Sequence, residues 1–351
     1  MPLVSRQPKK RIILGLMTFG PEEKDGARLT KQQDLKKALD VFQERGYHEV
    51  DTARIYVGGQ QEAFTRSVGW KERGLTLATK VHYPQNPGEN SAKLVRKSVE
   101  TSLKELGTDC VDILYLHRAD RATPFQETLE AINELHGEGK FVRFGISNFA
   151  AFEVAEVVMT CKYNGWIRPT IYQGIYNVLL RDIEPELLPA CRRYGLDVVV
   201  YNPLAGGLFS GKIKSKDIAP HQGRFSNTSE RLGNMYRFRY FRESTFRALQ
   251  IVETAVEEHG LSMIEAALRW MVHHSKLHIK DGKDGVLLGM SSIEQLQCNL
   301  DSLDKGPLPK DVVNALDEAW ALAKVDTPTY WHGELAYSYD TYQALFARGT
   351  K

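Results

Sequence analysis

Eight short apolar, β-rich runs recur along this chain, with helical segments between most of them. They lie at 12–19, 48–52, 75–81, 111–116, 141–147, 170–176, 197–201 and 285–290. Most show no clean alternation of apolar and polar residues, the pattern of strands buried on both faces, as in a parallel sheet. A repeated strand–helix order predicts a parallel α/β fold, and eight such units in 351 residues fit a (β/α)8 TIM barrel. An open doubly wound sheet is the alternative. It ordinarily carries Gly-x-Gly-x-x-Gly after its first strand, and that motif is missing here. The helices carry their own punctuation. Thr30-x-x-Gln33 reads as a capping box ahead of Leu35, Ala38, Leu39 and Phe42, which share one helix face, and Gly46 ends that helix. A further helix is expected over 92–106, stopped by Gly107. Another opens with Thr123 as N-cap and Pro124 at its first position, and closes at Gly137.

A chain of this length buries enough surface to fold without a disulfide or a metal. Lys plus Arg number 46 against 44 Asp plus Glu, a net charge of +2, which excludes a strongly basic nucleic-acid binder and an acidic tail protein. The four cysteines, Cys110, Cys161, Cys191 and Cys298, form no Cys-x-x-Cys pair and stand at no zinc spacing to histidine. No metal site is therefore expected, and sparse cysteines suit a reducing compartment. The basic start leads into an apolar run too short to span a membrane and lacking a small-residue cleavage site, so a cytoplasmic address is expected, with no membrane partner.

One domain over 1–351 is expected, interrupted by a stretch of weak periodicity at 202–242 and followed by a tail at 325–351. From Lys212 to Arg247 there are nine Lys/Arg and three Asp/Glu, a local +6. The stretch also holds Phe225, Tyr236, Phe238, Tyr240 and Phe241, which argue against simple disorder. It is read as a loop that closes over an anionic ligand.

In a barrel of this kind the chemistry sits at the C-terminal strand ends. The second run reaches Asp51, with Tyr56 in the loop after it; the third reaches Lys80 and the fourth His117. Singly, these have ordinary readings as a loop cap, a rim aromatic, a surface charge and a buried histidine. Together, on three neighbouring strands, they form a complementary set. Lys80 would lower the pKa of Tyr56, Asp51 would keep Lys80 charged and in place, and His117 would hydrogen-bond an incoming carbonyl oxygen. That set can protonate a developing alkoxide, as carbonyl reduction by hydride requires. It lacks a nucleophile with an adjacent base, so acyl transfer is not favoured.

The sequence resembles the aldo-keto reductase superfamily, through VDTARIY at 50–56, ATK at 78–80, DILYLH at 112–117, GKFVRFGISNF at 139–149, YQGIYN at 172–177, YNPLAGGLFSGK at 201–212 and LLGMSSIEQLQCNL at 287–300. Within it, NGWIRPTIYQGIYN and MYRFRYF make the chain most similar to the aflatoxin-aldehyde and succinic semialdehyde reductase group. The resemblance implies NADPH as cofactor, an aldehyde, ketone or dicarbonyl as substrate, and Tyr56 as proton donor supported by Asp51, Lys80 and His117. It implies that Ser147, Asn148 and Gln173 hold the nicotinamide carboxamide and that Tyr201 stacks on the ring. The backbone of 204–208, from Leu204 through Gly206 to Leu208, and Lys212 would line the pyrophosphate, with Arg224 on the adenosine phosphates. Ser291, Gln295 and Asn299 would hold the 2′-phosphate and adenine at a helix N-terminus. Tyr236 and Arg239 would face the substrate, and a homodimer is common in the group. The chain departs where relatives tend to end in an aromatic pair followed by arginine: here Tyr330-Trp331-His332 stands and the chain continues to Lys351. Trp331 is read as a wall for a larger or more apolar substrate.

Three rivals remain at this stage. GGLFSGK at 206–212 fits a phosphate-binding P-loop, but Ile213 stands where the magnesium-binding hydroxyl belongs. Lys80 as a Schiff-base lysine is opposed by Asp51, which would keep its amine charged. A regulatory subunit resembling potassium-channel β subunits, binding NADPH with slow turnover, keeps the same four residues.

Overall fold

The computed structural model describes residues 10–23, 26–227 and 230–346. The basic start at 1–9 and the end of the tail at 347–351 lie outside the described residues. Each apolar run forms a strand: β1 (Arg11–Gly15), β2 (Glu49–Asp51), β3 (Thr76–Lys80), β4 (Val111–Leu116), β5 (Phe141–Ser147), β6 (Ile171–Ile175), β7 (Asp197–Tyr201) and β8 (Gly285–Leu288). Neighbours pair parallel in chain order and β8 pairs back onto β1, closing the sheet. The fold is a (β/α)8 TIM barrel.

The apolar runs lack alternation because both strand faces are covered. Ile13, Ala78, Ile113, Tyr115, Ile171 and Val199 fill the barrel interior as a cluster of their own. The outward faces join the larger core beneath the helices. Tyr115 is the bulkiest interior residue, and Gly145 on β5 makes room for it: a Cβ there would stand 2.4 Å from the ring.

The helices are α1 (Gln32–Glu44), α2 (Gln61–Arg66), α3 (Ala92–Leu106), α4 (Phe125–Gly137), α5 (Ala151–Asn164), α6 (Leu187–Tyr194), α7 (Glu230–Tyr240), α8 (Glu243–Glu257), α9 (Met263–His273), α10 (Ile293–Asp304), α11 (Lys310–Ala323) and α12 (Thr341–Phe346). α3 ends as expected, with Gly107 left-handed at φ 68°. Two expected caps are out of frame. Lys31, not Thr30, is the N-cap of α1, and no side chain caps that helix end. Pro124, not Thr123, precedes α4; it sits at φ −53°, ψ 129°, so the helix begins one residue later. Thr123 instead donates to Asp120 at 2.8 Å. Among the described residues no helix is long and apolar enough to cross a membrane.

The stretch at 202–242 is more ordered than a loop. It holds a short 3-10 helix at Ala205–Ser210 and most of its C-terminal part is α7. Its aromatic residues give it a core: Phe225 is buried, stacked on Phe241 at 5.2 Å and edge-on to Tyr236 at 5.7 Å. Part of its positive charge is structural. Arg237 donates to the carbonyls of Phe225 and Ser226, and Lys214 pairs with Glu253.

After α11 the chain returns across the C-terminal rim of the barrel. The Tyr330 hydroxyl accepts from the Ala151 amide at 3.0 Å, the His332 amide donates to the Asn148 carbonyl at 3.2 Å, and the Ser338 amide donates to the Arg121 carbonyl at 3.0 Å.

Candidate active site

Parallel pairing brings the ends of β2, β3 and β4 side by side. Asp51 and Lys80 are buried there, with Lys80 Nζ 2.5 Å from the Asp51 carboxylate and 2.8 Å from the Thr52 carbonyl. The second Asp51 oxygen accepts from Gln173 Nε2 at 2.9 Å. Lys80 Nζ lies 5.1 Å from the centre of the Tyr56 ring, and the Tyr56 and His117 rings meet edge-on at 5.9 Å. The four residues expected to act together therefore form one cluster.

The loop carrying Tyr56 is held in an unusual backbone. Val57, Gly58 and Gly59 are all left-handed, at φ 51°, 60° and 86°. Such a φ is costly for β-branched Val57 and persists only where the surroundings over-determine it. Those surroundings are visible. Val57 is buried, with its side chain against Gly20. Arg54 pairs with buried Glu62 and donates to the Gly59 carbonyl, while Glu62 accepts from Thr79 at 2.6 Å. Thr79 precedes Lys80, so the loop and the lysine are tied together.

Burial dominates the proton affinities. It pushes Lys80 down and Asp51 up, and their mutual attraction opposes both shifts. Tyr56 is pushed well above its ordinary value, by burial first and then by the Asp51 charge, with Arg224 acting the other way. This corrects the expected lowering by Lys80: the ammonium charge is spent on Asp51, while the phenol itself is desolvated. His117 is held well below the usual imidazole value by burial and by Lys80, and is neutral. Its Nδ1 is buried and has no hydrogen-bond partner. A neutral imidazole beside a protonated phenol offers donors to a carbonyl oxygen and gives up no proton before a strong base appears.

The expected cofactor residues fall along the same rim. Ser147 ends β5, Asn148 follows it, Gln173 lies on β6 and Tyr201 ends β7. Asn148 Nδ2 donates to Ser147 Oγ and to the His117 carbonyl, both at 2.9 Å, and its Oδ1 accepts from Tyr201 Oη at 2.8 Å. Leu204 is half-buried and Leu208 buried, flanking Gly206 and Gly207, both left-handed. A Cβ on Gly207 would meet nothing within 4 Å, so the backbone there is open to close approach, as a phosphate cradle needs. Lys212 is exposed. Arg224 lies over the Tyr236 ring at 5.6 Å, with no carboxylate partner among the described residues. Ser291 and Gln295 are exposed at the start of α10, where Ser292 caps the helix, and Asn299 is buried one turn on. Among the described residues no group of His, Cys, Asp and Glu could hold a metal.

Tyr236 and Arg239 lie on α7, half-buried. Trp331 packs edge-on against Tyr330 at 5.0 Å. Its neighbour His332 reaches into the site, with Nε2 3.2 Å from Tyr201 Oη and Nδ1 3.1 Å from Tyr83 Oη. Tyr83, three residues beyond β3, meets His117 edge-on at 5.1 Å. Neither His332 nor Tyr83 was singled out from the sequence. Tyr83 could have been, had the rim beyond each strand end been read as closely as the strand ends themselves.

The sequence profile of the aldo/keto reductase family matches residues 11–321, and the chain belongs to that family. It is an oxidoreductase, in a family that uses a nicotinamide cofactor on small-molecule carbonyl substrates. It is 44% identical over 298 residues to an aldo-keto reductase of Pseudocercospora fijiensis, covering 84% of this chain and 99% of that protein. It is 43% identical over 339 residues to human aflatoxin B1 aldehyde reductase member 2, covering 93% and 92%. It is 36% identical over 348 residues to the aldo-keto reductase pigE of Monascus ruber, covering 93% and 99%.

Proposed function

We propose that this protein reduces aldehydes to alcohols with NADPH, with Tyr56 as proton donor. The observation that carries the reading is the buried Asp51–Lys80 pair beneath a protonated Tyr56 and a neutral His117. Reduced nicotinamide, when bound, supplies the hydride. Tyr56 gives its proton to the carbonyl oxygen as negative charge develops there, so a C–H and an O–H bond replace the C=O π bond. His117 orients that oxygen by a hydrogen bond. The phenolate left behind is reprotonated from solvent, with Lys80 held beside the ring by Asp51. Ser147, Asn148 and Gln173 would orient the carboxamide and Tyr201 the ring face. The Gly206–Gly207 backbone, Lys212 and Arg224 would hold the phosphates. Ser291, Gln295 and Asn299, at the capped start of α10, would prefer NADPH to NADH, because exposed N–H groups and the helix dipole favour a 2′-phosphate. The aldehyde reductase named among the relatives supports an aldehyde substrate.

The test is NADPH consumption with 4-nitrobenzaldehyde by the wild type and Tyr56→Phe, with cofactor affinity measured in parallel. Loss of about 10²–10⁴ in kcat at unchanged NADPH affinity is expected of a general acid. Activity retained in the variant would overturn the role of Tyr56.

A further inference from the structure

The returning C-terminal segment is latched, and the latch fixes one side chain in the site. Arg121 and Glu153 are both buried and paired through two hydrogen bonds of 2.7 and 2.9 Å. Arg121 Nη1 then donates to the carbonyls of His332 at 2.8 Å and Glu334 at 3.1 Å. The Tyr337 hydroxyl closes on Glu153 at 2.7 Å. His332 thus projects from a clamped backbone.

Its hydrogen-bond partners define its tautomer. Arginine only donates, so His332 Nε2 must accept from Arg239 Nη2, 3.4 Å away. The neutral ring then carries its proton on Nδ1 and donates it to Tyr83 Oη, which also accepts from Arg118 Nη1 at 3.3 Å. Tyr201 donates to Asn148, leaving Nε2 to Arg239. Burial first, and then Arg239, Arg118 and Arg121, disfavour a charged imidazole here. Arg239 Nη1, in contrast, is buried with no hydrogen-bond partner.

A carboxylate is gripped by arginine through two parallel N–H bonds, whereas a carbonyl or hydroxyl oxygen needs only one. We propose that His332 is a specificity-determining residue: by accepting one N–H of Arg239 Nη2 it occupies one of the two guanidinium edges that can grip a carboxylate through paired bonds, which favours substrates whose second polar group is a neutral oxygen over carboxylates. Arg121 and Glu153 are positioning residues acting through His332. The proposal rests on the reductase reading and on Arg239 facing the substrate.

The test compares 4-carboxybenzaldehyde with the nearly isosteric, uncharged 4-formylbenzamide, using the full chain at saturating NADPH. Intrinsic reactivity cancels when the ratio of the two kcat/KM values is compared between variants. His332→Leu removes the acceptor, and the carboxylate-to-amide ratio should rise about tenfold, through KM for the carboxylate, as one charge-assisted hydrogen bond is regained. His332→Gln keeps an acceptor and should stay within about threefold of wild type. Arg121→Met should move the ratio in the same direction as His332→Leu, and an unchanged ratio there would overturn its positioning role. A ratio in His332→Leu within about twofold of wild type, or equal losses on both substrates in both His332 variants, would overturn the proposal. A wild type that turns over neither aldehyde would overturn the reductase reading beneath it.

Discussion

Around the site the same cause acts residue by residue: groups that titrate easily in water are buried, and each is pushed toward its neutral form. For Tyr56 this holds the proton on the phenol, as the proposed role of proton donor requires. For the histidines it makes stability depend on pH. His332 is pushed down to about 3, and His117 is lowered as well. The unfolded chain, with histidines near their ordinary value of about 6.5, therefore binds more protons than the folded one as pH falls below that value. Stability should be full near neutrality and decline below about pH 6.5, with His332 alone accounting for about 2 kcal/mol between pH 7 and 5. Urea unfolding of wild type and His332→Gln at both pH values checks this. An equal decline in the two would mean that His332 is not held neutral. The cluster of Asp51, Tyr56, Lys80 and His117 was legible in the sequence because each member ends a strand, or follows one closely, in a fold whose chemistry sits at strand ends. His332 was not legible, because no local pattern signals that a residue after α11 returns to meet residues some 250 positions earlier.

At the level of elements, the strands constrain one another through size as much as hydrogen bonding. Tyr115 on β4 occupies the barrel interior only because β5 carries no side chain at Gly145. Gly145→Ala should therefore lower stability by about 1–3 kcal/mol through overpacking, although alanine is otherwise no worse in a strand. Urea unfolding of that variant measures the cost, and wild-type stability would show that the barrel relaxes more freely than the 2.4 Å approach allows. The apolar runs found the strands because parallel strands with both faces covered need unbroken apolar sequence, and Gly107 marked the end of α3 because a left-handed cap needs glycine. The caps at Thr30 and Thr123 failed by one residue: both hydroxyls are near a helix start, but frame is set by backbone geometry, and Pro124 fixes its own. The 202–242 stretch concealed α7 because that helix is held by an aromatic cluster and by arginine bonds to carbonyls, neither of which has helical periodicity.

Across the whole molecule, a net charge of only +2 hides a local excess at the C-terminal rim. Structural pairing consumes some of it, while Arg224 has no carboxylate partner among the described residues and Lys212 is exposed. If these groups meet cofactor phosphates, NADPH binding should weaken by about tenfold as salt rises through about 0.5 M, because exposed charge–charge attraction is screened. NADH, lacking the 2′-phosphate, should weaken less. Fluorescence titration at two salt concentrations measures both slopes, and equal slopes would remove the 2′-phosphate from the start of α10. The central claim, hydride transfer to a carbonyl with the proton coming from Tyr56, is tested most directly by isotope. NADPH carrying deuterium at both hydrogen positions of the reactive carbon is supplied with 4-nitrobenzaldehyde, and the alcohol is examined by mass spectrometry. The account predicts one deuterium per alcohol with wild type, and product formed about a thousandfold more slowly with Tyr56→Phe. Alcohol without deuterium, or equal rates in the two proteins, would contradict it.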